Sequence, residues 1–249
     1  MSGETYAFCH IDRSARIAES VKMGFHAVIM ADVSVRENST IGNNVVVYPG
    51  TEIGENVTVY DNAVLGRRPQ TTGNSTRPLK TDLSSLVIGE GSVIGACAVL
   101  YAGTRIGSRV LVSDLVSIRE ECVVEDLAVL GRGVILNYNV CVGKRTKIMD
   151  QSHITGNCVI GDDCFISVLV GTTNENSMGF AEEMEIVGPA IGDRVRIGVG
   201  AIILPGKKIG SDSTISAGSV VSINIPAGVL AGGHPARVIR DNPFLRRRC

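Results

Sequence analysis

Tryptophan is absent from this 249-residue chain, and aromatic residues together reach only 4%. Charge of one sign is missing too: 24 Lys and Arg stand against 25 Asp and Glu, with four His, for a formal net charge of −1. That balance offers no basic footprint and counts against nucleic acid as the main partner. No apolar run approaches the ~18 residues that a membrane-spanning helix needs. The opening MSGETYAFCH has no basic start followed by an apolar stretch, so a secretory leader is not expected. The seven cysteines show no CxxC spacing, and an odd count fits a reducing, cytoplasmic setting. Leucine is scarce, with 14 against 32 Val and 24 Ile. β-Branched residues favour strands, so the chain reads as all-β, and its 29 glycines announce many turns. The length is enough to bury a core without a disulfide or metal staple.

What is present is a repeat. Every sixth residue from Ile11 to Leu65 is aliphatic; the phase resumes from Ile88 to Ile166, and again from Ile191 to Val221. Thirty such positions carry no polar residue, although Ile, Val, Leu and Met make up only 76 of the 249 residues. The odds against that are on the order of 10¹⁵ to one by template counting. Two positions before each hit the residue is usually small or β-branched, as at Ala27, Ser39, Thr51, Ser92, Ala98 and Ala201. One position after it Gly recurs, as at Gly42, Gly54, Gly107, Gly161 and Gly210, where φ > 0 would suit a tight corner.

A six-residue period is neither helical nor that of a plain strand. It describes a short strand and a corner, and three such units close a triangular coil of 18 residues. About ten stacked coils would make a prism roughly 45–50 Å long at the spacing of hydrogen-bonded strands. Cys9, Cys122, Cys158 and Cys164 all stand two before a hit and read as small buried hydrophobes, whereas Cys97 and Cys141 face outward.

Two polar segments interrupt the phase, residues 66–87 and 167–190. Loops this long in a compact domain are commonly functional. With the prism faces labelled a, b and c in turn from Ile11, the first loop leaves at an a–b corner. Ile191 is expected to resume on face a, which puts the second loop at a c–a corner. His153 then lies one coil below that loop, and Lys207 and Lys208 one coil above, along one loaded edge. Asn137 and Asn139 fall on the a–b corner, the edge of the first loop. Arg67, Arg68 and Arg77 in the first loop suit a diphosphate. His10, His26 and His234 read as structural.

The pattern resembles the hexapeptide-repeat acyltransferases, whose fold is the left-handed parallel β-helix, over roughly residues 10 to 240. The ending IGDRVRIGVGAIILPGKKIGSDSTISAGSVVSINIPAG, followed by GGHPARVIR, is similar to the terminal coils of their coenzyme-A-dependent members. The two loops and the segment TTNENSMG look like the branch that N-acetylates amino sugars carried on a nucleoside diphosphate. The resemblance implies one domain over residues 1–240 with a tail over 241–249, a homotrimer with sites between subunits, and no metal. It also implies acetyl-CoA lying along the upper coils near Ala201 and Ala217, with Lys207, Lys208 or Arg237 near its phosphates. A UDP- or dTDP-linked amino sugar would sit against the two loops. His153 is the candidate base, and Asn174 or Asn176 would orient the amine. The segment SHITGNCVIG is similar to the catalytic stretch of UDP-N-acetylglucosamine O-acyltransferases, but Gly156 stands where those enzymes carry their catalytic His. A hydroxyl acceptor needs strong base help, so that loss favours an amine. The alternatives are O-acyl transfer to a UDP-sugar or small alcohol, zinc chemistry of the γ-carbonic-anhydrase kind, for which the His spacing is wrong, and a non-catalytic β-helix scaffold.

Overall fold

A computed structural model describes residues 8–74, 78–178 and 186–244. Among these residues there is no helix, and so none long and apolar enough to cross a membrane. The chain divides into two compact units, Met1–Leu127 and Ala128–Cys249. Each is a parallel β-solenoid whose strands, mostly two residues long, fall in rotation on three sheets, the faces a, b and c expected from the period.

In the first unit the sixth residues stack directly on one another. Val47, Leu65 and Leu100 pair in register on face a, and Ile53, Ile88 and Ile106 on face b. Their side chains are buried, each contributing about 1.5–3 kcal/mol over exposure. The first loop leaves face a after the strand Val64–Arg67 and returns on face b at Val87–Ile88, the expected a–b corner. Small inward residues do more than save space. The Ser39 hydroxyl donates to the Gly54 carbonyl at 2.8 Å and accepts from the Val57 N–H at 3.0 Å. Ser92 repeats the pair with Gly107 and Val110, so the hydroxyl closes the corner of the next coil.

The second unit repeats this, with Thr146 bonded to Gly161 and Cys164. Cys158 and Cys164 are buried as expected, and burial pushes the Cys158 thiol up to about 12. Val229–Gly233 and Ala236–Asp241 end it as an antiparallel hairpin with His234 exposed at its turn.

Three expectations need correction. The phase does not break at residue 167. It runs one strand further, through Gly171–Thr172, with Thr at the inward position. Thr172 is buried, and its Oγ1 accepts the Thr155 N–H at 2.8 Å, which is how a hydroxyl stands in for an aliphatic side chain there. In consequence Ile191 pairs with Ile160 on face b rather than resuming on face a, while Ile203 pairs with Thr172 on face a and Ile209 lies on face b. The second loop therefore leaves at an a–b corner, and the c–a edge assigned to Lys207 and Lys208 is wrong.

The third correction concerns glycine. Left-handed φ falls three residues after most hits, and mostly on residues other than Gly: Asn44, Leu115, Asn157 and Arg194 among them. Each costs about 1–2 kcal/mol. The turn aims the N–H at the coil below, as in Asn157 N–H to the Tyr138 carbonyl at 3.1 Å, and that bond offsets the strain. Gly one position after the hit is needed for a different reason. A Cβ on Gly42 would stand 2.8 Å from the Asp61 nitrogen of the next coil, so the coils stack on bare backbone.

Candidate functional site

The a–b corner of the second unit gathers polar side chains because the 18-residue register puts residues of successive coils over one another. Ile135, His153 and Gly171 pair on face a. The corners that follow bring together Asn137, Tyr138 and Asn139, then Gly156 and Asn157, then Asn174. Asn139 Nδ2 donates to Asn157 Oδ1 at 2.9 Å, and Asn157 Nδ2 to the Ile186 carbonyl at 3.0 Å. Asn137 Nδ2 faces His153 Nε2 at 3.5 Å. His153 is exposed on its outer side, yet partial desolvation by the chain beside it lowers its pKa below the ordinary 6.5, which favours the neutral ring at pH 7.

Asn174 has the most constrained environment. Its Nδ2 donates to the Tyr138 hydroxyl at 3.2 Å and to the Gly156 carbonyl at 3.2 Å. Both amide protons are thus committed, and the side chain presents its oxygen, an acceptor. The Asn174 carbonyl takes the Val187 N–H at 2.8 Å, which ties the far end of the loop to its start. Just beyond, Glu175, Asn176, Val187, Pro205, Gly206 and Lys207 line a cavity of about 330 Å³. Glu175 Oε2 caps the turn by accepting from the Ser177 hydroxyl and the Met178 N–H, both at 2.8 Å.

The expected residues separate on inspection. His153, Asn137, Asn139, Asn174, Asn176 and Lys207 gather at or beside this corner. Lys208 does not follow Lys207: it lies exposed on face b. Ala201 is fully buried, with its N–H and carbonyl bonded to Gly198 and Gly171. Ala217 lies exposed at a c–a corner, where a Cβ on Gly198 would meet its nitrogen at 2.5 Å. Arg237, on the terminal hairpin, donates to the Ala236 carbonyl at 2.8 Å. Arg77 lies outside the described residues.

In the first unit, Tyr48, Arg67, Arg68, Gln70, Ser84 and Ser85 line a cavity of about 490 Å³. The Arg67 guanidinium stands over the Tyr101 ring at 5.2 Å. Arg68 braces the loop, donating to the Thr81 and Leu83 carbonyls at 2.9 and 3.1 Å. Tyr138 and Asn157 escaped the sequence reading. Stepping by 18 residues from Asn174 through Gly156 would have reached Tyr138, and the same step from Asn139 would have reached Asn157.

Comparison with known proteins agrees with the repeat. The model of the bacterial transferase hexapeptide (six repeats) matches residues 32–67, and that of the hexapeptide repeat of succinyl-transferase matches residues 85–113 and 190–222. The 2,3,4,5-tetrahydropyridine-2,6-dicarboxylate N-acetyltransferase of Clostridium perfringens is 51% identical over 51 residues, 20% of this chain and 22% of its own. The galactoside O-acetyltransferase of Escherichia coli is also 51% identical over 51 residues, 20% of this chain and 25% of its own. The chain thus spans only about a quarter of the length of these curated relatives. One name specifies transfer to nitrogen and the other to oxygen, so these short matches do not discriminate the acceptor. The solved UDP-N-acetylglucosamine acyltransferase of Francisella novicida is 19% identical, over 95% of this chain and 70% of that one, with a TM-score of 0.48.

Proposed function

The chain carries the hexapeptide repeat of the acyltransferases, and from that premise we propose that it transfers an acetyl group from acetyl-CoA to a primary amine of a nucleoside-diphosphate-linked amino deoxy sugar. The reading includes a homotrimer with its sites at subunit interfaces. The observation that carries it is the Asn174 amide, whose two protons are committed to Tyr138 and Gly156. An amide oxygen accepts a hydrogen bond but is too weak a base to take the proton. It can orient a neutral amine by one N–H while the nitrogen lone pair stays free to attack. A hydroxyl bound the same way would have to lose its proton to a base before or during attack, which a neutral amine does not.

The amine nitrogen attacks the thioester carbonyl and forms the new C–N bond. Collapse of the tetrahedral intermediate breaks the C–S bond and releases coenzyme A as thiolate. The surplus proton on nitrogen goes to neutral His153 and from it to the thiolate, or to the thiolate directly. Lys207, beside Asn176, is assigned to an anionic part of the donor. In the first unit Arg67 is a separate candidate for an anionic group, since an aromatic face holds its guanidinium and among the described residues no carboxylate pairs with it.

The test is coenzyme A release with UDP- and dTDP-linked amino sugars and their hydroxyl counterparts as acceptors. Acetylation of an amino sugar but not of its hydroxyl counterpart is expected, with a raised KM for acetyl-CoA in Lys207→Ala. Acetylation of the hydroxyl sugar, or of none of them by intact protein, overturns the reading.

A further inference from the structure

Tyr138, Gly156 and Asn174 lie 18 residues apart, at one corner position of three successive coils. Their contacts interlock. A Cβ built on Gly156 would stand 2.5, 2.6 and 2.8 Å from three carbons of the Tyr138 ring, so the ring occupies the space that a side chain at position 156 would need. The hydroxyl at the end of that ring receives one Asn174 amide proton, and the Gly156 carbonyl receives the other. Had residue 156 carried a side chain, the ring would be displaced and the Asn174 amide would lose a partner. Glycine at 156 and tyrosine at 138 therefore act as one device, and its product is the orientation of a third residue's amide.

We infer that Tyr138 is the positioning residue of this site: its hydroxyl, brought in over Gly156, locks the Asn174 amide so that its oxygen is left to accept an N–H of the acceptor amine. The inference rests on the amine-transfer reading for its consequence, and on geometry alone for its cause. Tyr138 does not touch the reacting atoms. It acts through Asn174, much as a supporting hydrogen bond fixes a metal ligand or a catalytic imidazole.

Tyr138→Phe removes the hydroxyl and keeps the ring in its place, so the fold is not at risk. In the full-length protein labelled with ¹⁵N-asparagine, the Asn174 side-chain resonances, assigned by their loss in Asn174→Ala, should move in Tyr138→Phe. With acetyl-CoA and the acceptors UDP-glucosamine or a dTDP-linked 4-amino-4,6-dideoxyhexose, kcat should fall on the order of 10–100-fold, the scale of a misplaced orienting group. The KM for acetyl-CoA should not change, which separates this effect from a general loss of structure. Gly156→Ala, which keeps the hydroxyl but pushes the ring, should reproduce the kcat loss. An unmoved Asn174 resonance overturns the inference, and so does a moved resonance with kcat intact. If the wild-type protein acetylates neither probe, amine transfer to these sugars fails, while the Asn174 resonance still decides whether Tyr138 holds the amide.

Discussion

If glycine after each inward aliphatic is there for stacking, and not for backbone conformation, two glycines of the second unit should respond to alanine to different degrees. At Gly161 the backbone is not left-handed, but a new Cβ would stand 2.8 Å from both the Asp193 nitrogen and the Gly192 carbonyl carbon, and closer still to Asp193 Oδ1. None of these is the end of a flexible chain free to swing away. Forcing the coils apart costs about 1–3 kcal/mol, as overpacking does in a close-packed interior. Moving the Asp193 carboxylate also weakens its bond from the Asp162 N–H at 2.9 Å, about 0.5–1.5 kcal/mol more. The stiffer unfolded chain returns about 0.4–1 kcal/mol. Gly161→Ala should thus lose about 0.5–4 kcal/mol. Gly200 is the reverse case: φ is +68°, and nothing lies within 4 Å of the new methyl. There the strain of a left-handed alanine, about 1–2 kcal/mol, is only partly returned by the unfolded-state term of about 0.4–1 kcal/mol, which leaves a smaller net loss. Guanidinium denaturation followed by far-ultraviolet circular dichroism gives both midpoints. A Gly200→Ala loss equal to or larger than the Gly161→Ala loss would refute the stacking argument.

Two further outcomes can be checked directly. Thr172→Val leaves the Thr155 N–H without its acceptor, a loss of about 1–3 kcal/mol only partly offset by the extra methyl, so the melting temperature should drop several degrees, whereas Thr172→Ser should stay near wild type. His153 gives a signed pH dependence. The fold holds its pKa below the ordinary value, so the unfolded chain binds the proton more readily. Stability is then full above the unfolded value near 6.5 and declines as pH falls below it. Activity that needs the neutral ring should fall as pH drops through the lowered pKa. His153→Gln should lose the His153 contribution to that limb together with about 10²–10⁴-fold in rate. The acceptor amine must itself be neutral and sets an acid limb of its own, so the deciding result is the rate: activity unchanged in His153→Gln at alkaline pH would show that His153 is not the proton acceptor.

The period of six was legible because it reports one local fact, which side of a two-residue strand faces inward, and every coil restates it. That is why Ile29, Leu65, Ile118 and Ile203 could be assigned to the core from the chain alone, and the buried cysteines with them. The first loop's corner followed by counting. The second did not, because the residue that continues the phase is Thr172. Its hydroxyl is satisfied only by the Thr155 N–H of the neighbouring coil, a partner that no local pattern announces. One miscounted strand moved Ile191, Ile203 and Ile209 to the wrong faces and took Lys207 and Lys208 with them. The glycines were misread for the same reason: a φ preference is local, but a Cβ collision is with a residue 18 or more positions away. Residue types alone placed an imidazole and an asparagine-rich loop near one another. Which way the Asn174 amide points was settled only by tertiary contacts, because its two partners, Tyr138 and Gly156, reach it from successive coils and not from its own loop.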